Sequence, residues 1–328
     1  MILGEQDLQE MFSMLTDGLE RVARVGISSP SLTGDWTGGR GLGLFDRARG
    51  SIEARLESLV PPETAEPKGL HRAMRYSLFA PGKRLRPVLT LATASAFGGA
   101  EEAALDPACA VEMVHTASLI LDDLPCMDDA TLRRGRPANH RLHGEATATL
   151  AAVALLNRAY GVLAESSELS PRVRTGLVAL LSRAIGSNGA VAGQCRDLDG
   201  SEVCDVETLS QVEGLKTSAL FIAAVESGAL VAGLADEELE PIRRFAWDLG
   251  LAFQLRDDWI DAVGRRETAG KDVRQDAGKM TLVSLLGAER SKTLFEELLD
   301  SATAALEPLG PNGRGLGRAC RELMMHTS

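Results

Sequence analysis

Two clusters of aspartates dominate the chemistry that this 328-residue chain could perform. The first reads Asp122-Asp123-Leu-Pro-Cys-Met-Asp128-Asp129 and the second Asp257-Asp258-Trp-Ile-Asp261. On a helix, Asp257 and Asp261 share a face at i, i+4, where like charges repel. A divalent cation placed between them and a partner anion would turn that cost into a function. Asp122 and Asp128 are six residues apart, which an ideal helix would splay by about 120°. Pro125 lies between them and should break or kink the helix, so that Asp128 can turn back. Magnesium takes carboxylate, water and phosphate oxygens in octahedral geometry. A transition metal would more often recruit His or Cys. His140 and His143 are only i, i+3 with no obvious third ligand, and read as structural. Either aspartate cluster alone also fits a solvated acidic face or a calcium site, although neither has the glycine placement of an EF-hand loop.

Basic residues gather in short motifs around these clusters. Gly82-Lys83-Arg84-Leu85-Arg86-Pro87 sets Lys83 and Arg86 on one side of a starting helix. Arg133-Arg134-Gly135-Arg136-Pro137 follows the first aspartate cluster, and Lys216-Thr217 interrupts an apolar helical stretch. Lys271 and Lys279 follow the second cluster. Arginine grips phosphate oxygens in a planar fork, and lysine acts as a mobile point charge. Singly, each is an ordinary surface ion-pair partner. Together they outline two anion sites beside a metal site. No GxxxxGK[ST] is present, so Gly-Lys here is not a Walker loop.

The elements that must position these groups read as helices. From Phe45 onward the apolar spacing predicts helices over 45–59, 67–80, 84–97, 104–123, 143–166, 171–190, 205–232, 235–262 and 279–307, with a shorter one at the C-terminus. Pro107 falls in the first turn of its predicted helix, and no segment shows strand-like alternation. An all-α single domain follows. In 235–262, Ile242, Phe245, Ala246, Leu249 and Phe253 mark one face, and Asp257 and Asp261 continue it. In 104–123, Val111, His115 and Ser118 lie on one side, and Asp122 follows. Carboxylates that continue an inward face are costly unless compensated. Two long helices ending this way favour a shared cation site over two solvated ends.

Composition narrows the function further. The chain is 45% hydrophobic but only 4% aromatic, and its net charge of −11 argues against nucleic-acid binding. A phosphorylated substrate would need metal ions or local basic groups to approach it. Five scattered cysteines without CxxC spacing read as reduced thiols of a cytoplasmic protein. No run of about 18 apolar residues is found, so no transmembrane helix is expected. Residues 1–44 read as an N-terminal extension, a short helix over 5–24 and then a Gly/Ser-rich linker, before a domain at 45–328.

Taken in order, these motifs resemble the trans-isoprenyl diphosphate synthase family. The resemblance runs through GKRLRP at 82–87, DDLPCMDD at 122–129, RRGRP at 133–137, GQCRD at 193–197, KT at 216–217, FQLRDD at 253–258 and GKDVRQDAGK at 270–279. SLILDDLPCMDDATLRRGRP is most similar to bacterial geranylgeranyl diphosphate synthases of carotenoid pathways. The resemblance implies a helical bundle of the isoprenoid synthase type with a central substrate cavity. It also implies a homodimer and condensation of isopentenyl diphosphate with an allylic diphosphate. Asp122, Asp128 and Asp257 would be the principal Mg2+ ligands, supported by Asp123, Asp258 and Asp261. Lys83, Arg86, His115 and Arg134 match positions that bind isopentenyl diphosphate. Arg133, Lys216, Thr217, Gln254 and Lys271 match positions around the allylic diphosphate. Two departures, Ala151-Ala152 for a Gly-Asp pair and Ala80-Pro81 before Gly82-Lys83, also look like the carotenoid subgroup.

Product length should depend on the helix leading to Asp122. Ala117 and Ser118, one turn earlier, are both small, and Met113 could form a deeper floor. Similar farnesyl synthases carry an aromatic at the Ala117 position, so Ala117 favours a C20 product over C15. Farnesyl or longer-chain synthesis is the alternative. A terpene cyclase would lack the second substrate site at Lys83 and Arg86. A head-to-head synthase fits the basic series poorly. A non-catalytic partner subunit would be expected to lose one cluster.

Overall fold

The computed structural model describes residues 41–199, 206–263 and 281–326. Nearly all of them are helical. In chain order the helices are α1 (Gly41–Leu59), α2 (Lys68–Leu78), α3 (Leu85–Ala96), α4 (Glu101–Asp122), α5 (Asn139–His143), α6 (Glu145–Glu165), α7 (Pro171–Ile185), α8 (Ala190–Asp199), α9 (Val206–Glu213), α10 (Ala219–Ala232), α11 (Asp236–Val263), α12 (Leu282–Leu286), α13 (Ala288–Ala305) and α14 (Gly310–His326). One π-helical turn, Gly214–Ser218, joins α9 to α10. The expected helix over 5–24, most of the linker, and Lys271 and Lys279 lie outside the described residues. So does the side chain of Asp261.

α10 is buried around its circumference, with Leu220, Phe221, Ala223, Ala224, Val225 and Ala229 all inside. It packs against α3, α4, α7 and α11, and is the axis of the bundle. Small residues let these helices approach closely: a Cβ on Gly228 of α10 would fall 2.4 Å from the carbonyl oxygen of Thr90 on α3. The Thr90 hydroxyl donates to the Ala224 carbonyl across the same contact at 2.9 Å. α4 runs along α6 and α3, and α11 along α13. The carboxylate-bearing ends of α4 and α11 are therefore held by an apolar frame.

Several boundaries differ from the sequence reading. α1 begins at Gly41, four residues before Phe45. α4 begins at Glu101, so Pro107 sits inside the helix and not in its first turn. Glu101 and Glu102 occupy that first turn, where negative charge suits the helix dipole. The helix expected over 143–166 is present as Glu145–Glu165, after Gly144 at φ 82°. The single helices expected over 205–232 and 279–307 are each divided, by the π turn and by Gly287 at φ 75°. The expectation of no strand is corrected by an antiparallel pair, β1 (Leu132–Arg133) and β2 (Arg136–Pro137). Arg134 and Gly135 form its two-residue turn with φ of 54° and 73°, the signature of a type I′ hairpin. The expectation of no membrane-spanning helix also needs correction on length and composition. Glu101–Asp122, Glu145–Glu165 and Val206–Ala232 are each long and apolar enough to cross a membrane, and 72%, 39% and 61% of their apolar windows are buried inside the fold.

Candidate active site

The first aspartate cluster is built by the way α4 stops. The helix ends at Asp122, and Asp123 closes it in a helical conformation. Pro125 follows, and the chain folds back on itself. The N–H of Asp128 donates to the Asp122 carbonyl at 2.9 Å, and the N–H of Asp129 to the Leu124 carbonyl at 3.1 Å. The turn that Pro125 predicts is thus present, and it returns Asp128 to Asp122. Burial pushes the Asp122 carboxyl up to about 6; Lys216 opposes the shift and Asp128 adds to it. The C-terminal end of a helix is a poor place for such charge, since its dipole is negative there.

Asp123 faces another way. It is buried and accepts from Arg133, whose Nε is 2.8 Å from Oδ1. Burial still raises the Asp123 carboxyl despite that guanidinium. The hairpin explains the division of labour between the two arginines. Arg133 ends the first strand, whereas Arg134 sits in the turn with a left-handed backbone at φ 54°, which re-aims its side chain. Arg133 goes to Asp123, while Arg134 reaches toward Glu112 at 3.9 Å and lies against Gly82. Tyr76 and Asn139 fasten the ribbon to α2: the Tyr76 hydroxyl donates to the Pro137 carbonyl at 2.8 Å, and Asn139 Nδ2 to the Ala73 carbonyl at 2.8 Å.

Lys216 and Thr217 ride on the π-helical turn. Such turns are rare and concentrate at functional positions, because the extra residue re-aims side chains. The turn fits only because α8 offers no side chain at Gly193, where a Cβ would lie 2.4 Å from the Lys216 nitrogen. Lys216 Nζ pairs with Asp197 Oδ2 at 2.7 Å. The Thr217 hydroxyl donates to Gln254 Oε1 at 2.9 Å, and Gln254 Nε2 donates to Asp258 Oδ1 at 2.8 Å. The second aspartate cluster is therefore wired to the Lys-Thr pair through Gln254.

A third basic group lies at the start of α3. Burial and the neighbouring Arg256 pull Lys83 down to about 8, and Asp257 resists the fall. Arg86 is buried, with Nη1 3.3 Å from His115 Nε2 and its guanidinium 4.6 Å from the Phe221 ring. Desolvation and Arg86 hold His115 well below its ordinary value, so the imidazole is neutral and its ring nitrogens can hydrogen-bond without adding positive charge.

On α4, His115 and Ser118 are partly open, as is Asp122, whereas Ala117 and Met113 are fully buried. His140 is buried and 4.0 Å from Asp129, with neither ring nitrogen hydrogen-bonded. Among the described residues, no three His, Cys, Asp or Glu side chains close on one point to hold a metal by themselves. The donor set available is all carboxylate, which suits a hard cation that completes its shell with phosphate oxygens and water. Sequence reasoning gave no role to Asp197, Glu112 or Arg256. Asp197 could have been found from its place in GQCRD.

Residues 67–307 match the polyprenyl synthetase family model. The chain belongs to that family. Among its relatives are a geranylgeranyl diphosphate synthase of Pantoea ananas, 47% identical over 80% of this chain and 86% of the relative, and the chloroplastic geranylgeranyl pyrophosphate synthase 7 of Arabidopsis thaliana, 48% identical over 77% and 74%. Solved family structures superpose over most of their length. An apo FPP/GFPP synthase from Zymomonas mobilis gives a TM-score of 0.77 at 34% identity, covering 87% of this chain and 99% of the other. A geranyltransferase from Helicobacter pylori complexed with magnesium and isoprenyl diphosphate gives 0.78 at 29% identity, covering 91% and 98%. These neighbours share the all-α architecture, and the chain is a prenyl diphosphate synthase.

Proposed function

We propose that the protein is a magnesium-dependent geranylgeranyl diphosphate synthase that condenses isopentenyl diphosphate with an allylic diphosphate. The observation that carries this reading is the arrangement of two basic groups about the carboxylate ends. Lys216 acts electrostatically on Asp122, and the Asp257 carboxylate acts on Lys83 and Arg86. Two separate anions can thus be held beside one metal-binding edge, as a two-substrate synthase requires and a cyclase does not.

Asp122, Asp128 and Asp257 would hold Mg2+, with Asp123, Asp258 and Asp261 in support. When bound, the metal would neutralise charge that builds on the departing diphosphate. Arg133, Lys216, Gln254 and Lys271 would bind the allylic diphosphate. Ionisation of its C–O bond leaves an allylic cation, which the Thr217 hydroxyl oxygen and nearby backbone carbonyls would steady. Lys83, Arg86, His115 and Arg134 would orient isopentenyl diphosphate so that its double bond attacks that carbon. A proton is then lost, with the released diphosphate as the base that takes it. The buried frame of α4 and α10 would keep water from the cation.

A homodimer is supported by the outer face of α5 and α6, where Leu142, Leu150 and Val153 are 56%, 60% and 54% exposed. A cytoplasmic location is consistent with the free thiols of Cys109, Cys126, Cys195 and Cys320. Supply of a carotenoid pathway rests on the wording of the first aspartate motif. To test the activity, purified protein is incubated with labelled isopentenyl diphosphate and C5, C10 or C15 allylic partners, with and without Mg2+. A C20 product that requires Mg2+ is expected. No condensation with any partner would overturn the reading in favour of a non-catalytic subunit.

A further inference from the structure

Of the basic residues assigned above to isopentenyl diphosphate, Lys83 is exposed, whereas Arg86 is buried and Arg134 half-buried. Arg86 and Arg134 crowd into one region, where their charges would drive one another apart. Arg84, Arg86 and Arg134 all border this region, and α4 presents one carboxylate to it, that of Glu112. Glu112 is 1% exposed. Its Oε1 accepts from Arg84 Nη1 at 2.7 Å and lies 3.9 Å from Arg134 Nη2.

Arg84 is turned wholly inward. Its Nε donates to Glu53 Oε1 at 2.6 Å, and its Nη2 to the carbonyls of Leu78 and Ala80 at 2.6 and 3.3 Å. Its backbone is left-handed, at φ 51° and ψ 35°, in the cap position of α3. A non-glycine residue holds that conformation only where its surroundings fix it. The flanking Lys83 and the Arg86 of the first turn of α3 take their directions from this anchor.

Charge follows the same geometry. Burial and Arg134 lower Arg86 to about 10, and Glu112 is the strongest influence opposing the fall, ahead of Asp257. Glu112 is likewise the strongest influence holding up Arg134 against burial, Arg84 and Arg133. One buried carboxylate thus serves three guanidinium groups.

We propose that Glu112 is a positioning residue for the isopentenyl diphosphate site, acting through Arg84, Arg86 and Arg134 and not on the substrate itself. Its pair with Arg84 fixes the start of α3. Its charge offsets the mutual repulsion of Arg86 and Arg134, so that the two guanidinium groups stand side by side, ready to meet a diphosphate. The proposal rests on the reading that Lys83, Arg86 and Arg134 take isopentenyl diphosphate.

The test is steady-state kinetics of the full-length chain bearing Glu112→Gln, with each substrate varied separately. The expected result is a rise of about tenfold in KM for isopentenyl diphosphate, with KM for the allylic diphosphate within about twofold of the parent. Glu112→Asp, which keeps the charge, should recover most of the loss. The effect should also be non-additive with Arg134→Met, since the carboxylate acts through that arginine. A folded Glu112→Gln protein with unchanged KM values, or with both raised alike, overturns the proposal and leaves Glu112 a purely structural partner of Arg84. If Glu112→Gln is recovered only as aggregate, Glu112→Asp decides: a smaller rise confined to isopentenyl diphosphate supports the proposal, and no selective rise overturns it. Arg134→Met alone separates the two levels of inference. If it leaves KM for isopentenyl diphosphate unchanged, the assignment of the site is at fault, whatever Glu112 does.

Discussion

The backbone N–H of Asp128 donates to the carbonyl of Asp122 at 2.9 Å, closing the turn that follows α4. That bond brings back together two carboxylates that a continued helix would separate. Burial raises Asp122, and the nearby Asp128 charge raises it further. The pair is strained electrostatically by design of the chain, and a cation is the obvious relief.

Asp122 should therefore give the protein a metal-linked pH dependence. Its carboxyl is raised from an ordinary 3.8 to about 6. Between those values the folded chain keeps a proton that the unfolded chain has released. Stability of the metal-free protein should therefore fall as pH rises through this interval and stay low above it. Mg2+ binds the deprotonated carboxylate, so the rise in Tm on adding Mg2+ with inorganic diphosphate should be small below the interval and larger above it. Thermal scans across the range measure this. Asp122→Asn should flatten the profile and lower kcat/KM by about a thousandfold. A Tm response to Mg2+ that is independent of pH would count against Asp122 as a ligand.

Lys83 predicts the opposite limb of the pH profile. Its ammonium, lowered to about 8 by burial and Arg256, loses its proton as pH rises past that value. KM for isopentenyl diphosphate should climb above it, while KM for the allylic substrate should not follow. Lys83→Arg, which stays charged, should delay the climb. A parallel rise in both KM values would show that the titrating group belongs to neither anion site alone.

The chain from Thr217 through Gln254 to Asp258 should matter more to rate than to stability. Thr217→Val keeps the shape but removes the hydroxyl that donates to Gln254 at 2.9 Å. A loss of about tenfold in kcat is expected, with Thr217→Ser close to the parent. Single-turnover kinetics with saturating substrates read this directly. Equal activity of the Val and Ser variants would remove Thr217 from the cation-steadying role.

How far the residue pattern alone carried these assignments depends on the kind of signal. Long apolar periodicities placed α3, α4 and α11 within a few residues, because a buried helix face writes itself into every third or fourth position, but they ran α9, the π turn and α10 together as one helix. Pro125 announced the turn before Asp128. The hairpin at 132–137 left no trace, since two-residue strands have no period, although Arg134-Gly135 is a turn signal in hindsight. The π turn under Lys216 and Thr217 was invisible, because it depends on α8 yielding space at Gly193, distant in sequence. Glu112 was overlooked for a similar reason. Its partner Arg84 lies 28 residues upstream, and a single acid in a helix says nothing of what it will face.

The exposed apolar face of α5 and α6 predicts association. Leu150 and Val153 are both more than half exposed and lie three residues apart on α6. Obligate homodimer interfaces are apolar at their centre, so a charge placed there should be expelled. If the proposed homodimer forms through this face, Leu150→Asp combined with Val153→Asp should leave the protein monomeric where the parent is dimeric, as read by light scattering after size exclusion. An unchanged mass for the soluble double variant would move the interface elsewhere.

Product length provides the sharpest test of the cavity. Ala117 is fully buried on α4, and Ser118 beside it is partly open on the face that carries Asp122. On the proposed function, a growing prenyl chain that leaves Asp122 runs back along this helix. Ala117→Tyr would put an aromatic ring where a methyl group stands in that path. The main product should shorten from C20 to C15 or less while condensation continues. Ser118→Phe, on the open face, tests the neighbouring wall in the same way. Product analysis by reversed-phase chromatography after dephosphorylation distinguishes the outcomes. If Ala117→Tyr still makes C20 and Ser118→Phe shortens it, the chain passes the Ser118 wall; if neither changes the product, the path does not follow α4.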